Sequence, residues 1–269
     1  MREIVREPAV AGRFYPENPA RLRADIESYL PAGEKTRAIA CMVPHAGYMY
    51  SGQVAGTVFS RLEIPASCIV LGPNHTGHGH PLAIVQEGTW RTPLGEIPID
   101  SDLAEKLTRE FPTLSENLAA HRSEHSIEVE IPFLQVCRPG VKFVPIAIGT
   151  GQLLLLEQLG QALAEVLKKS RDPALIVASS DMNHYEDDAT TRVKDRKAIE
   201  KILALDAPGL YQTVMNESIS MCGFGPAVAM LTAARRLGAQ KAELAQYATS
   251  ADVSGDHKVA VGYAGIIVR

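Results

Sequence analysis

Short apolar runs alternate with amphipathic stretches along almost the whole chain. Runs at 39–43, 68–71, 82–85, 141–148 and 174–178 have the length and composition of buried strands. Between them the apolar spacing is helical. Leu22, Ile26, Tyr29 and Leu30 follow Asn18-Pro19, an N-cap residue with proline in the first turn, and Pro31 stops the segment. Val54, Ala55, Val58, Phe59 and Leu62 share one face of a helix predicted over 51–62. Ser101 is placed to cap a helix running to 111, and a leucine-rich helix is predicted over 153–167. Helices over 189–205 and 227–237 follow, and strands near 244–248 and 259–268 close the chain. Glu124 and His125 open a further amphipathic stretch with Ile127, Ile131 and Leu134 toward the core. No repeat, low-complexity tract or linker interrupts this alternation. The expectation is one α/β domain over residues 1–269, with a mainly parallel or mixed central sheet flanked by helices on both faces.

Composition narrows the function classes. Of 269 residues, 46% are hydrophobic and 22% charged, enough apolar material for a large core, and the net charge of −4 gives no broad footprint for nucleic acid. The basic group Arg192, Lys194, Arg196 and Lys197 is interleaved with Asp187, Asp188, Asp195 and Glu200, as on a solvated helix face. No apolar run approaches the ~20 residues that span a bilayer, and the opening residues lack the apolar core of a secretory signal. Cys41, Cys68, Cys137 and Cys222 show no paired spacing, so a disulfide framework is not expected and a cytoplasmic location is. Cys41 and Cys68 lie within apolar runs, as small buried thiols.

The chemistry collects where strands end. In open α/β sheets, ligands bind beyond the carboxyl ends of the strands. Three predicted strands run into polar loops there: Pro44-His45-Ala46-Gly47-Tyr48, Pro73-Asn74-His75-Thr76-Gly77 and Ser179-Ser180-Asp181-Met182-Asn183-His184. A fourth segment, Met221-Cys222-Gly223-Phe224-Gly225-Pro226, opens a predicted helix. Gly47, Gly72 and Gly77 suit sharp bends. Taken alone, His45 and His75 read as strand-end histidines bonded to carbonyls, and Cys222 and Asp181 have plain alternatives as an inert thiol and a turn cap. His78 and His80 read as a solvent-facing loop, His125 and Glu124 as a pocket-lining residue and a capping residue, and Tyr48, Tyr50 and Tyr185 as pocket wall or packing.

Taken together, the segments 44–52 (PHAGYMYSG), 72–77 (GPNHTG), 124–135 (EHSIEVEIPFLQ), 179–185 (SSDMNHY) and 221–226 (MCGFGP), with PAVAGRFYP at 8–16, resemble the ordered motifs of the Memo family. The resemblance covers nearly the whole chain. It implies a fold related to the class III extradiol dioxygenases and one iron or copper ion per chain, with zinc as an alternative. It implies His45, His75 and Cys222 as metal ligands, with Asp181 and His184 as site residues beside the ion. Prokaryotic members resemble one component of a set with a radical S-adenosylmethionine protein, which implies a functional link to such a partner.

The residue chemistry agrees with that implication. Two imidazoles and a thiolate suit Zn(II), Fe(II) or copper and not Mg(II) or Ca(II), and three protein ligands leave a position open. A helix start beside Cys222 would favour its thiolate. Asp181 is expected to accept the second N–H of a ligating imidazole, and His184 to act as general acid or base. A cysteine in place of the carboxylate of the usual iron oxygenase triad sets this chain apart from ring-cleaving dioxygenases. Three functions stay open: redox or oxygenase-like chemistry on a small molecule, a non-catalytic module binding a peptide or metal, and a zinc-type metallohydrolase. Dioxygen-dependent turnover, binding without turnover, and anaerobic Zn(II) activity respectively distinguish them.

Overall fold

Period-two alternation divides the apolar runs between the two faces of a sheet. The computed structural model describes residues 4–269. Its elements are β1 (Val5–Arg6), α1 (Pro19–Tyr29), β2 (Ala40–Val43), α2 (Tyr48–Ser60), β3 (Ser67–Pro73), β4 (Leu82–Ile84), β5 (Thr89–Thr92), β6 (Gly95–Pro98), α3 (Ser101–Glu110), β7 (Ser115–Glu116) and α4 (Ala119–Arg122). A 3-10 turn (Glu128–Glu130) then leads into α5 (Ile131–Cys137), β8 (Lys142–Ile148), α6 (Leu153–Lys169), β9 (Ala174–Ser179), α7 (Asp188–Leu203), α8 (Ala207–Asn216), α9 (Phe224–Arg236), β10 (Ala242–Thr249), α10 (Ala251–Ser254) and β11 (Gly262–Val268).

Eight strands form one mixed sheet in the order β10-β11-β2-β9-β3-β8-β4-β7. Its centre, β2-β9-β3-β8, is parallel, and β11 and β4 join its two sides antiparallel. Met42, Ile69, Leu71, Val144, Ile146 and Ile176 pack on one face beneath α3, α6, α7, α8 and α9. The alternate residues Cys41, Val43, Cys68, Val70, Phe143 and Val177 pack on the other beneath α1, α2 and α5. Strands buried on both faces must be apolar throughout, which is why these segments read as continuous apolar runs. This is the expected α/β class, a mixed sheet flanked by helices on both faces. No helix among the described residues is long and apolar enough to cross a membrane.

Some expectations differ in detail. Asp100, not Ser101, caps α3, its carboxylate accepting the Leu103 N–H at 3.1 Å. A second sheet, β1-β5-β6, is absent from the sequence reading because strands of two to four residues are too short to show a period. The stretch after Glu124 does turn Ile127, Ile131 and Leu134 inward, but as a 3-10 turn followed by α5 with Pro132 in its first turn. Gly77 has the positive φ (68°) that its bend requires. Gly72 serves close approach instead: a Cβ there would lie 2.5 Å from Ser126 Oγ. That contact seats the 124–130 segment on the end of β3.

Candidate metal centre

Parallel pairing of β2, β9 and β3 brings their carboxyl ends to one edge. His45, Asp181 and His75 each stand two residues beyond their strand. A third imidazole arrives from outside the sheet. His125 lies in the segment before α5, which Ser126 anchors by donating its hydroxyl to Pro73 O at 2.7 Å. The ring centroids are 5.2 Å apart for His45 and His75, 5.4 Å for His45 and His125, and 4.7 Å for His75 and His125. One ring nitrogen from each lies within 4.8 Å of the other two. His45 is buried, His125 half-buried and His75 exposed, so the cluster is open to solvent on the His75 side.

Two side chains orient the rings. Glu124 faces the Nδ1 of His75 at 2.9 Å and that of His125 at 3.3 Å, and its other oxygen accepts the His75 backbone N–H. Ser179 Oγ lies 2.8 Å from His45 Nδ1. With Nδ1 occupied, His45 and His75 present Nε2 to the centre, the arrangement in which an outer partner fixes a ligating imidazole. The charge state fits as well. Burial, reinforced by His125, His75 and His184, depresses the proton affinity of His45 well below the usual range, so it is a neutral donor. Burial likewise dominates at His125 and lowers it. Burial opposes the charge on Glu124, yet the His75 ring and the Ser126 N–H hold its carboxyl down to about 2.

Cys222 approaches the same edge of His45, with Sγ 3.3 Å from His45 Nε2. It lies outside the mutual 4.8 Å group formed by the imidazoles. The helix α9 begins at Phe224, with Gly223 as its N-cap, so Cys222 precedes the helix and does not open it. The expected thiolate is not favoured in the metal-free chain. Burial and the neighbouring Asp181 carboxyl raise the Cys222 thiol well above its usual range, outweighing the hydrogen bonds from the Gly223 and Cys222 backbone. Asp181 also differs from expectation. Its Oδ1 accepts the His45 backbone N–H at 2.8 Å, so it fixes the loop and leaves the ring to Ser179. Burial raises its carboxyl to about 6. His184 Nδ1 donates to Ser220 O at 3.0 Å, and its Nε2 stands 4.0 Å from Asp181 Oδ2. His78 and His80 are exposed, as expected, and Tyr48 is buried. Tyr185 is 80% exposed with φ of 68°, its ring 5.4 Å from that of His184.

Residues 6–267 match the model of the Memo-like protein family. The chain belongs to the Memo family. A MEMO1 family protein of Methanopyrus kandleri is 42% identical, the match covering 98% of this chain and 99% of that one. Another, from Methanosarcina barkeri, is also 42% identical and is covered completely. Among solved structures, an uncharacterized protein of Escherichia coli K12 superposes with a TM-score of 0.56 at 14% identity, over 84% of this chain and 99% of that one, a likeness of fold.

Within this Memo fold, several residues that build the site carried no clear mark in the sequence. Ser179 is the last residue of a buried strand, Glu124 reads as a capping residue, and Glu128 and Glu130 lie unmarked among the core-facing residues of an amphipathic stretch. All three glutamates are buried. Glu128 pairs with Arg6 Nη1 at 2.7 Å and accepts the Ala9 and Val10 N–H groups and the Tyr15 hydroxyl. Arg6 also donates to His121 O and Glu124 O, both at 2.7 Å. The N-terminal strap is thereby clamped to the segment that carries His125, and Phe14 lies against the His125 ring at 4.7 Å. Phe14, Gly47, Tyr48 and Tyr50 line a cleft of about 430 Å³ between the N-terminal strap, α1 and the start of α2.

Proposed function

We propose that this Memo protein holds one transition-metal ion, iron or copper with zinc as the alternative, through His45, His75 and Cys222, and performs redox or oxygenase-like chemistry on a small molecule or a peptide-borne group. The observation that carries the reading is the convergence of three oriented imidazoles and a thiol at the carboxyl edge of the sheet. The donor set fits the borderline-soft metals. The Nε2–Sγ separation of 3.3 Å is close to the ~3.5 Å between an imidazole nitrogen and a thiolate sulfur that share a tetrahedral ion.

When bound, the ion would supply Lewis acidity and electron transfer. The chain's own residues do the rest. Glu124 and Ser179 hold the ligand rings, and Asp181 holds the His45 backbone. His184, with Nδ1–H committed to Ser220 O, keeps Nε2 to accept or return a proton beside Asp181. Phe14 covers the His125 ring, and the exposed face of His75 admits the ligand. A cytoplasmic setting, in which the four cysteines stay thiols, and a radical S-adenosylmethionine partner belong to the same reading.

A second reading places His125 as the third ligand, favoured by the mutual distances of the imidazoles. The test is anaerobic purification and loading with Fe(II), Cu(I) or Zn(II), elemental analysis, and a dioxygen-uptake screen. One ion per chain, lost in His45→Ala and His75→Ala, is expected. Stoichiometry unchanged in both variants would refute the site. Turnover with Zn(II) in the absence of dioxygen would make the protein a hydrolase, and tight binding with no turnover a binding module.

A further inference from the structure

Beneath His45 lies a buried carboxyl group that neither ligates nor orients a ring directly. Glu130 is 1% exposed and is fixed by the 3-10 turn that precedes α5. Its Oε1 lies 2.9 Å from Ser179 Oγ. The same Oγ lies 2.6 Å from Ser126 O and 2.8 Å from His45 Nδ1.

A hydroxyl has one proton and three neighbours here, and the count decides the protonation states. Ser126 O is a carbonyl and only accepts. Two oxygens 2.6 Å apart need a proton between them, so the Ser179 proton goes to Ser126 O. The two lone pairs of Oγ then face Glu130 Oε1 and His45 Nδ1, and both must donate. For Glu130 this requires the neutral carboxylic acid. For His45 it requires the Nδ1–H tautomer, with a bare Nε2.

From this arrangement we propose that Glu130 is a protonated acid at neutral pH, and that through Ser179 it fixes His45 as the tautomer that offers Nε2 to a ligand. The surroundings agree. Asp181, Tyr48 and Cys41 are the titratable groups near it, no cation pairs with it among the described residues, and burial, with a smaller push from the Asp181 carboxyl, moves its proton affinity well up against the opposing contact with the Ser179 hydroxyl. An ionised Glu130 would instead compete with Ser126 O for the single Ser179 proton, leaving one close oxygen pair without a hydrogen. Glu130 is thus a positioning residue, and its consequence for ligation rests on the metal reading above.

The test reads protonation without metal. In infrared difference spectra of apo protein, wild type minus Glu130→Gln, a carboxylic-acid carbonyl band that shifts in D₂O is expected, together with His45 as the Nδ1–H tautomer by ¹⁵N NMR in both proteins. Gln offers an N–H where the acid offers O–H, so metal affinity in Glu130→Gln should stay close to wild type. Ser179→Ala should lower that affinity by about 10–100-fold, the usual effect of losing an outer partner, and should mix the His45 tautomers. A difference spectrum showing carboxylate bands, or an Nε2–H tautomer in wild type, overturns the proposal. Wild-type protein that keeps the acid band and the tautomer but takes up no metal supports the state of Glu130 and sinks the metal reading instead.

Discussion

Glu128 and Glu130 stand two residues apart on one turn, each 1% exposed, and they meet opposite environments. Glu128 faces the N-terminal strap, where a guanidinium, two backbone N–H groups and a tyrosine hydroxyl all donate to it. Glu130 faces the metal-site end of the sheet, where its one close partner is a hydroxyl already committed to a carbonyl. Burial alone therefore does not set the state of a carboxyl group; the supply of donors does. On the strap side the protein holds a charge to fix the chain, and on the site side it keeps a neutral acid beneath a neutral imidazole.

The largest expected effect breaks the strap side. Glu128→Ala or Arg6→Ala leaves the partner charge buried and unpaired and should destabilise the fold by about 3–5 kcal/mol. Denaturant unfolding measures it, and a loss within error of zero would show that the strap is not held by this pair. Loosening of the His125 segment should accompany the loss, seen as faster amide exchange over 124–130.

Asp195 lies between the two glutamates in behaviour. It is buried, accepts the Asn183 N–H at 2.8 Å and the Tyr247 hydroxyl at 2.7 Å, and burial pushes its carboxyl up to about 7. Its folded-state pKa is raised above the ordinary aspartate value. The stability that this acid contributes is therefore full below about pH 4 and lost as pH rises through about 7, at about 1.4 kcal/mol for each unit of separation realised. Tm measured against pH should fall across that window in wild type and fall less in Asp195→Asn. Parallel curves would mean that Asp195 titrates normally in the folded protein.

On the site side, Glu124→Gln should weaken metal affinity by about 10–100-fold while Arg6 and Glu128 stay paired. Competition titration with a chromophoric chelator reads this. Unchanged affinity would deny Glu124 its part in holding His75.

Much of this was legible in the sequence because strands buried on both faces are apolar without interruption, and the polar residues that end them stand out. His45, His75 and Asp181 were found that way. His125 was not assigned as a ligand because it sits inside an amphipathic stretch, where a histidine on the polar side carries no distinguishing signal. Glu128 and Glu130 were hidden for a related reason: at that spacing glutamates look like a solvated face, and it is tertiary contact with the strap and the end of β9 that meets them. The state of Cys222 depends on its burial and its closeness to Asp181, both tertiary facts, and on α9 beginning two residues later. The β5–β6 hairpin was lost to brevity.

X-ray absorption at the edge of the bound metal tests the central claim most directly. For wild-type protein loaded with one equivalent under anaerobic conditions, the account predicts a first shell with imidazole nitrogens at about 2.0–2.1 Å and one sulfur at about 2.3 Å. The sulfur should vanish in Cys222→Ser and persist in His125→Ala. A nitrogen-only shell that changes in His125→Ala and not in Cys222→Ser would transfer the third position to His125. A shell indifferent to His45→Ala and His75→Ala would contradict the metal centre itself.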